Sequence, residues 1–338
     1  MDLGLIAEWV VKSVIILLAM TGGFAYVTLY ERKVLARMQT RIGPNRAGPF
    51  GSLQPVADGI KLIFKEELIP ANADKIVFIA APILTVIPAL IITGVVPWGN
   101  QITLFGRVIP LQLADINVAV LYILSVTSIS VYGITLAGWS SNNKYAMLGG
   151  LRSTAQMISY ELALGLSFIG PVLIVGSLSL RDIVEAQRNV WFIVYQPLAA
   201  VLYMVSAVAE INRAPFDMPE AEQELTAGYH TEYSGMKFAL FFMAEYIKMI
   251  AVSMIGASLF LGGYHMPFGI PDFGLLGPVW LFIKVAVLIF GLIWLRATLP
   301  RIRYDRLMAF GWKITFPLSL LNVLGTAVVL TLIGSRGG

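Results

Sequence analysis

The sequence predicts an all-α fold, a polytopic membrane bundle of about eight transmembrane helices with an additional amphipathic helix lying on the cytoplasmic membrane surface. Three observations carry that expectation. Of 338 residues, 57% are hydrophobic and only 13% charged, about half the charged share of an ordinary soluble domain. Mean hydropathy is +0.78. The apolar residues gather into stretches of the roughly 20 residues that a helix rising 1.5 Å per residue needs to cross the hydrocarbon layer.

The eight stretches cover residues 10–30, 76–97, 114–138, 156–176, 190–210, 235–261, 279–297 and 313–334. The first is expected to persist rather than to be cleaved as a signal, because Asp2 and Glu8 precede it and basic residues follow it. Between the first and second stretches, 31–75 is too long for a plain turn. There Leu53, Val56, Ile60, Ile63, Phe64 and Leu68 recur at helical spacing, with Gln54, Asp58, Lys61 and Lys65 on another face, the pattern of a helix lying in the interface. Pro55 suits its first turn.

Lys and Arg set the orientation, since cytoplasmic connections hold the excess. The connection 31–75 contains Arg32, Lys33, Arg37, Arg41, Arg46, Lys61, Lys65 and Lys75, and 298–312 contains Arg301, Arg303 and Arg306, against only Arg107, Arg181 and Arg188 on the opposite side. Residues 31–75, 139–155, 211–234 and 298–312 are therefore expected in the cytoplasm and both termini outside it. No repeat or hydrophilic domain interrupts 1–338, so one integral membrane domain is expected. The net charge of +4 is concentrated beside spans, which points to topology and lipid rather than nucleic acid.

Cysteine is absent, which excludes thiolate-held iron–sulfur clusters and disulfides in this chain. There is no P-loop, no G-x-G-x-x-G fingerprint and no serine in a nucleophile elbow. His230 and His265 fall on opposite predicted membrane sides and cannot share a metal.

The remaining polar residues carry the functional expectation. Glu161 and Glu245 lie inside apolar spans, where a carboxylate costs about 2.5 to 3.5 kcal/mol on insertion scales and needs a partner or a proton. Glu245 precedes Lys248 by three residues, so a structural ion pair on one helix face and a proton relay are both open. Tyr160 and the hydroxyls Ser125, Thr127, Ser128, Ser130 and Thr135 would extend a polar path or merely pack helices. The connection 211–234, entered through Glu210, carries Asp217, Glu220, Glu222, Glu224 and Glu232 against Arg213, with Pro215 and Pro219 shaping it as a loop. Crowded carboxylates favour proton uptake near neutral pH, although a charge run is also commonly a solvated loop. Beside the surface helix, Arg32, Asp58, Lys61 and Arg213 would face a hydrophobic small molecule entering from the bilayer; topogenic basic residues are the competing reading.

The run Glu31-Arg-Lys-Val-Leu-Ala-Arg-Met-Gln-Thr-Arg-Ile-Gly-Pro-Asn-Arg-Ala-Gly-Pro-Phe-Gly, then Leu53-Gln-Pro-Val-Ala-Asp-Gly-Ile-Lys61, resembles the quinone-site membrane subunit of proton-pumping NADH:quinone oxidoreductase, respiratory complex I. Glu210-Ile-Asn-Arg-Ala-Pro-Phe-Asp-Met-Pro-Glu-Ala-Glu-Gln-Glu-Leu-Thr-Ala-Gly-Tyr and Glu232-Tyr-Ser-Gly-Met-Lys237 match the same family, with Met218 and Thr226 where Leu and Val are more usual. The resemblance implies the H component, in bacterial naming, of a translocase in the bacterial plasma membrane. It would hold no redox centre itself; quinone, ubiquinone or menaquinone, would be the substrate, and FMN and iron–sulfur clusters would belong to partners. Those partners would be peripheral-arm iron–sulfur and quinone-site subunits and antiporter-like and small membrane-arm subunits. Carried over residue by residue, Arg32, Asp58, Lys61 and Arg213 would line or support the quinone chamber. Glu161, Glu210 and Glu245 would form a proton-linked path, with Glu220, Glu222, Glu224 and Glu232 in the loop that responds to quinone chemistry; Asp115 is as well suited to an interfacial role. The membrane anchor of an energy-converting hydrogenase, a stand-alone cation or proton transporter and a purely structural docking subunit are the competing functions.

Overall fold

The computed structural model describes residues 3–104, 107–217, 227–266 and 276–334. Twelve helices are labelled in chain order: α1 (Leu3–Met38), α2 (Gln54–Ile63), α3 (Lys75–Ile92), α4 (Ala119–Ser140), α5 (Lys144–Val175), α6 (Leu180–Ala186), α7 (Phe192–Tyr195), α8 (Pro197–Glu210), α9 (Gly235–Phe260), α10 (Gly277–Thr298), α11 (Tyr304–Phe310) and α12 (Phe316–Gly334). Strands β1 (Gln101–Leu104) and β2 (Arg107–Pro110) form an antiparallel hairpin between α3 and α4. The described residues include seven helical segments long and apolar enough to cross a membrane, with α11 and α12 running as one through a π turn at Gly311–Thr315.

The difference from eight spans lies at 190–210. A continuous helix there is interrupted at Gln196, whose φ and ψ of −130° and 53° are not helical, and Pro197 starts the next helix. The 14 residues of α8 rise only about 21 Å, short of the roughly 30 Å hydrocarbon layer, so 190–210 crosses as a broken span, α7 and α8 in series, between Arg181 at one end of the bundle and Arg213 at the other. Gln196 compensates for the break by donating to Thr326 Oγ1 at 2.8 Å and accepting from Asn322 at 3.2 Å, which ties it to α12.

Two expected connections are shorter than the hydropathy pattern suggests. α1 continues unbroken through Glu31, Arg32 and Lys33 to Met38, and α5 begins at Lys144, leaving only 141–143 to turn the chain. Charged and polar residues lower mean hydropathy without breaking a helix, so these helices extend past their apolar windows. Asn143 caps α5 by accepting from Tyr145 N at 2.9 Å, and Asp74 caps α3 by accepting from Ile76 N and Val77 N. α5 stops at Gly176, in the left-handed conformation (φ 73°), whose N–H returns to Val172 at 2.8 Å.

The expected surface helix forms as α2, with Pro55 in its first turn. Val56, Ile60, Ile63 and Phe64 are all exposed, as an interfacial helix requires. The chain after α2 is fastened to the start of α9, where Leu68 N donates to Ser234 Oγ at 3.0 Å and Lys237 pairs with Glu67 at 2.5 Å.

α3, α4, α5 and α8 pack in sequence, α9 packs against α3, α10 and α1, and α12 lies against α5. Small residues permit the closest approaches: a Cβ on Gly133 of α4 would stand 2.5 Å from Thr85 Cγ2 and 2.9 Å from the Ala81 carbonyl of α3. α9 is the most enclosed helix, with an unbroken buried run from Tyr246 to Phe260. α1 instead leaves Val10, Ile15 and Leu18 outward, an apolar face suited to lipid.

Candidate functional site

Three of the predicted chamber residues meet at the junction of α1 and α2. Arg32 Nη1 donates to Asp58 Oδ2 at 2.6 Å, Gln54 Nε2 donates to Asp58 Oδ1 at 3.2 Å, and Lys61 approaches Asp58 at 3.8 Å. Arg32 is about half exposed and Lys61 more so, so this is a solvated charge cluster at the foot of the surface helix.

The fourth, Arg213, sits deeper. Its Nη1 donates to both carboxylate oxygens of Glu31 at 2.8 and 2.9 Å, its Nε forms an ion pair with Glu245, and its guanidinium lies 4.4 Å from the Tyr246 ring centre. Arg296 of α10 reaches Glu31 from the other side. Burial disfavours the charge on Arg213, but Glu245, Tyr246 and Glu31 outweigh it and hold the guanidinium pKa well above its ordinary value. A cation removed from water is tolerated when its donors and charge are answered in this way. The Glu245–Lys248 pair open from sequence spacing is replaced: Glu245 turns to Arg213, while Lys248, itself buried, donates to Ser130 Oγ of α4 at 2.6 Å.

A cavity of about 30 Å³ opens beside this cluster, lined by Glu210, Glu245, Lys248, Asn212, His230 and Tyr229. It has room for a water molecule. Glu210 is 2% exposed and neither carboxylate oxygen meets a hydrogen-bond donor among the described residues; Lys248 and Glu161 are the charges that act on it. Its position is fixed by Gln156 of α5, whose Nε2 donates at 2.8 Å to the carbonyls of Ala209 and of Phe216 and so grips the loop on both sides of Arg213.

Glu161 lies on α5 facing α4, where Ser128 donates to it. The hydroxyl-rich α4 thus contributes specific contacts to its neighbours, Ser128 to Glu161, Ser130 from Lys248, and Thr135 with Thr154 Oγ1 of α5 at 2.6 Å; Ser125, Thr127 and Thr135 also bond backbone carbonyls of their own helix. Tyr160 does not join the path. Its hydroxyl donates to the Leu307 carbonyl at 2.9 Å and anchors α11 to α5. Glu232 accepts from Asn143 at 2.7 Å at the start of α5, and Asp115 pairs with Arg181 at 3.5 Å on the opposite end of the bundle. Glu220, Glu222 and Glu224 lie outside the described residues.

An apolar groove of about 500 Å³ runs between α1, α9 and α10, lined by Met20, Tyr26, Tyr30, Ile250, Phe282 and Val285 among others. Its lining includes Tyr30, the residue that precedes Glu31 and Arg32 on α1.

Sequence reasoning left Glu31, Arg296 and His230 without a site role. Arg296, within the last turn of an apolar helix, carried its own signal, since an ionisable residue at such a place marks a partner. Glu31 stood among basic residues and was masked by them.

A family profile described as NADH dehydrogenase matches residues 11–327. The H subunit of the NADH-quinone oxidoreductase of Thermomicrobium roseum is 54% identical over 325 residues, covering 93% of this chain and 94% of that protein. The H subunit of the Protochlamydia amoebophila enzyme is 54% identical over 303 residues, covering 90% and 91%. A third relative, an H subunit of NADH-quinone oxidoreductase from Geobacter metallireducens, is 54% identical over 308 residues, covering 91% and 92%.

Proposed function

The chain belongs to the NADH dehydrogenase family represented by the H subunits of NADH-quinone oxidoreductases, and from that premise we propose that it forms the membrane wall of a quinone chamber and couples quinone reduction to proton translocation. It acts as one component of a multisubunit oxidoreductase in a bacterial plasma membrane, with both termini on the non-cytoplasmic side and 1–338 as one membrane domain. Peripheral-arm partners supply FMN and iron–sulfur clusters, and the antiporter-like and small membrane-arm subunits receive the coupling signal.

The observation that carries this reading is the placement of Arg213. One guanidinium joins Glu31, beside the mouth of the apolar groove, to Glu245, which lines the cavity with Glu210. The groove between α1, α9 and α10 receives the isoprenoid tail, and Arg32, Asp58 and Lys61 stand where a polar head group leaves it. A change of charge on the head group is felt at Glu31 first. Arg213 is shared between two carboxylates, so weakening one pairing strengthens the other, and the proton affinity of the Glu245–Glu210–Lys248 group changes with it. Glu161 continues the acidic series across α4 and α5, and Glu220, Glu222, Glu224 and Glu232 belong to the loop that responds at the other end.

Glu210→Gln in the assembled complex tests this. With decylubiquinone as electron acceptor, NADH oxidation should stay within about twofold of wild type. Proton uptake per NADH into inverted vesicles, read by a pH-sensitive dye, should fall at least fivefold. Wild-type pumping per electron in Glu210→Gln would remove Glu210 from the mechanism.

A further inference from the structure

Among the groups that line the cavity beside Glu210 is an imidazole, His230, that the coupling path so far leaves without a task. His230 belongs to a short 3-10 turn, Gly228–His230, immediately after the acidic segment 218–226. It is 5% exposed and packed among rings: Tyr229 at 3.8 Å between centroids, Phe238 and Phe241 at 5.9 Å, and Phe242 at 6.2 Å. An imidazole enclosed by aromatic rings gains little as a packing group that a phenyl ring would not gain equally. Its distinguishing property is that it has two nitrogens, one a donor and one an acceptor.

Its placement is tightly held. A Cβ on Gly149 of α5 would fall 2.7 Å from Gly228 Cα, so the turn is seated directly on the α5 backbone. Downstream, Tyr233 stacks on Phe78 at 4.0 Å and its hydroxyl donates to the Phe78 carbonyl at 3.2 Å. The ring is thereby fixed at the wall of the cavity shared with Glu210 of α8 and Glu245 and Lys248 of α9.

We propose that His230 is the proton carrier between the acidic loop and the buried Glu210–Glu245 pair. In one transfer, the unprotonated ring nitrogen accepts a proton arriving from the loop side. The other ring nitrogen gives up its own proton into the cavity, where Glu210 or Glu245 accepts it directly or through a water. One proton enters and one leaves, the ring ends neutral in the opposite tautomer, and a turn of the ring or a return of the tautomeric proton resets it. Burial pushes the imidazole down to about 3, so the ring rests neutral and the imidazolium is passed through rather than stored.

This inference rests on the coupling role proposed above, and the experiment separates the two. His230→Phe preserves the aromatic packing and His230→Gln preserves polarity; neither can relay a proton through a ring. Both are built into the whole complex, incorporation is checked on a native gel, and NADH:decylubiquinone activity and dye-detected proton uptake are measured in inverted vesicles beside Glu210→Gln. The expected result is incorporation of His230→Phe, electron transfer within about twofold of wild type and pumping per NADH reduced at least threefold. His230→Gly with millimolar imidazole should recover part of the pumping, a rescue that a structural role would not produce. Wild-type pumping in either assembled His230→Phe or His230→Gln overturns the proton-carrier role. If Glu210→Gln also pumps normally, Glu210 leaves the mechanism and the path that His230 was to feed fails with it; if only the His230 variants do, the fault lies with His230 alone.

Discussion

At the scale of single residues, the buried charges of this chain differ in how they are answered. Arg213 has two carboxylates and an aromatic face, whereas Glu210 has a cavity in place of a fixed donor. The first arrangement holds a charge and the second leaves room for a proton to come and go. His230 adds a measurable pH dependence. Its folded pKa lies below the unfolded value of about 6.5, so the unfolded chain binds the extra proton first. Its contribution to stability is complete above pH 6.5 and is lost as pH falls from there toward 3. By pH 5.5 the loss is about 1.4 kcal/mol. The unfolding midpoint of wild type in denaturant should therefore fall more than that of His230→Phe between pH 7.5 and 5.5. Glu210, Glu245, Lys248 and Tyr229 line the same cavity in both proteins and largely cancel in the difference. Equal shifts would show that the imidazole is not sequestered.

At the scale of elements, the fold depends on backbones that approach closely. The turn carrying His230 is seated against Gly149, and a larger residue there must displace Gly228. Gly149→Val is expected to cost about 1 to 3 kcal/mol as overpacking. It should also raise the rate of proteolytic cleavage within 218–232 at least severalfold, while sites in 298–303 stay as slow as in wild type. Unchanged cleavage would mean that α5 does not hold the turn. Much of this level was legible in the sequence. The apolar windows located every long helix, and the alternation at Leu53 to Phe64 located α2 with its exposed apolar face. What hydropathy could not resolve were ends and interruptions. α5 begins at Lys144 because a helix needs backbone geometry and a cap, not apolar side chains, and the stretch 190–210 breaks at Gln196 because the amide finds partners on α12 that sequence proximity does not reveal. The candidate site divides in the same way. Buried carboxylates advertise themselves within apolar runs, but partner choice, Arg213 over Lys248 for Glu245, depends on how a loop folds back.

At the scale of the whole molecule, the apolar groove and the charged clusters share one helix, α1, which lines the groove and carries Glu31 and Arg32. The groove reading makes a prediction about substrates with and without tails. Val285→Trp narrows the groove while leaving the charged residues in place. It should raise KM for a long-tailed quinone at least fivefold and alter KM for a tail-less analogue less than twofold. Equal effects on both would place the tail elsewhere. The groove wall is built of aliphatic and aromatic side chains, which on the proposed reading would admit and orient an apolar tail.

The 36 residues of α1 run without a break from the groove lining at Met20 and Tyr26 to Glu31, Arg32 and onward to Met38. Such a helix is about 54 Å long, and from Met20 to Arg32 it rises about 18 Å. Because no hinge lies between those points, α1 works as a ruler. On the quinone-chamber reading proposed above, the height at which a tail is gripped and the height at which a head group meets charge would be set by a fixed count of hydrogen-bonded turns, so tail length, rather than loop motion, would decide which part of an occupant reaches the arginine.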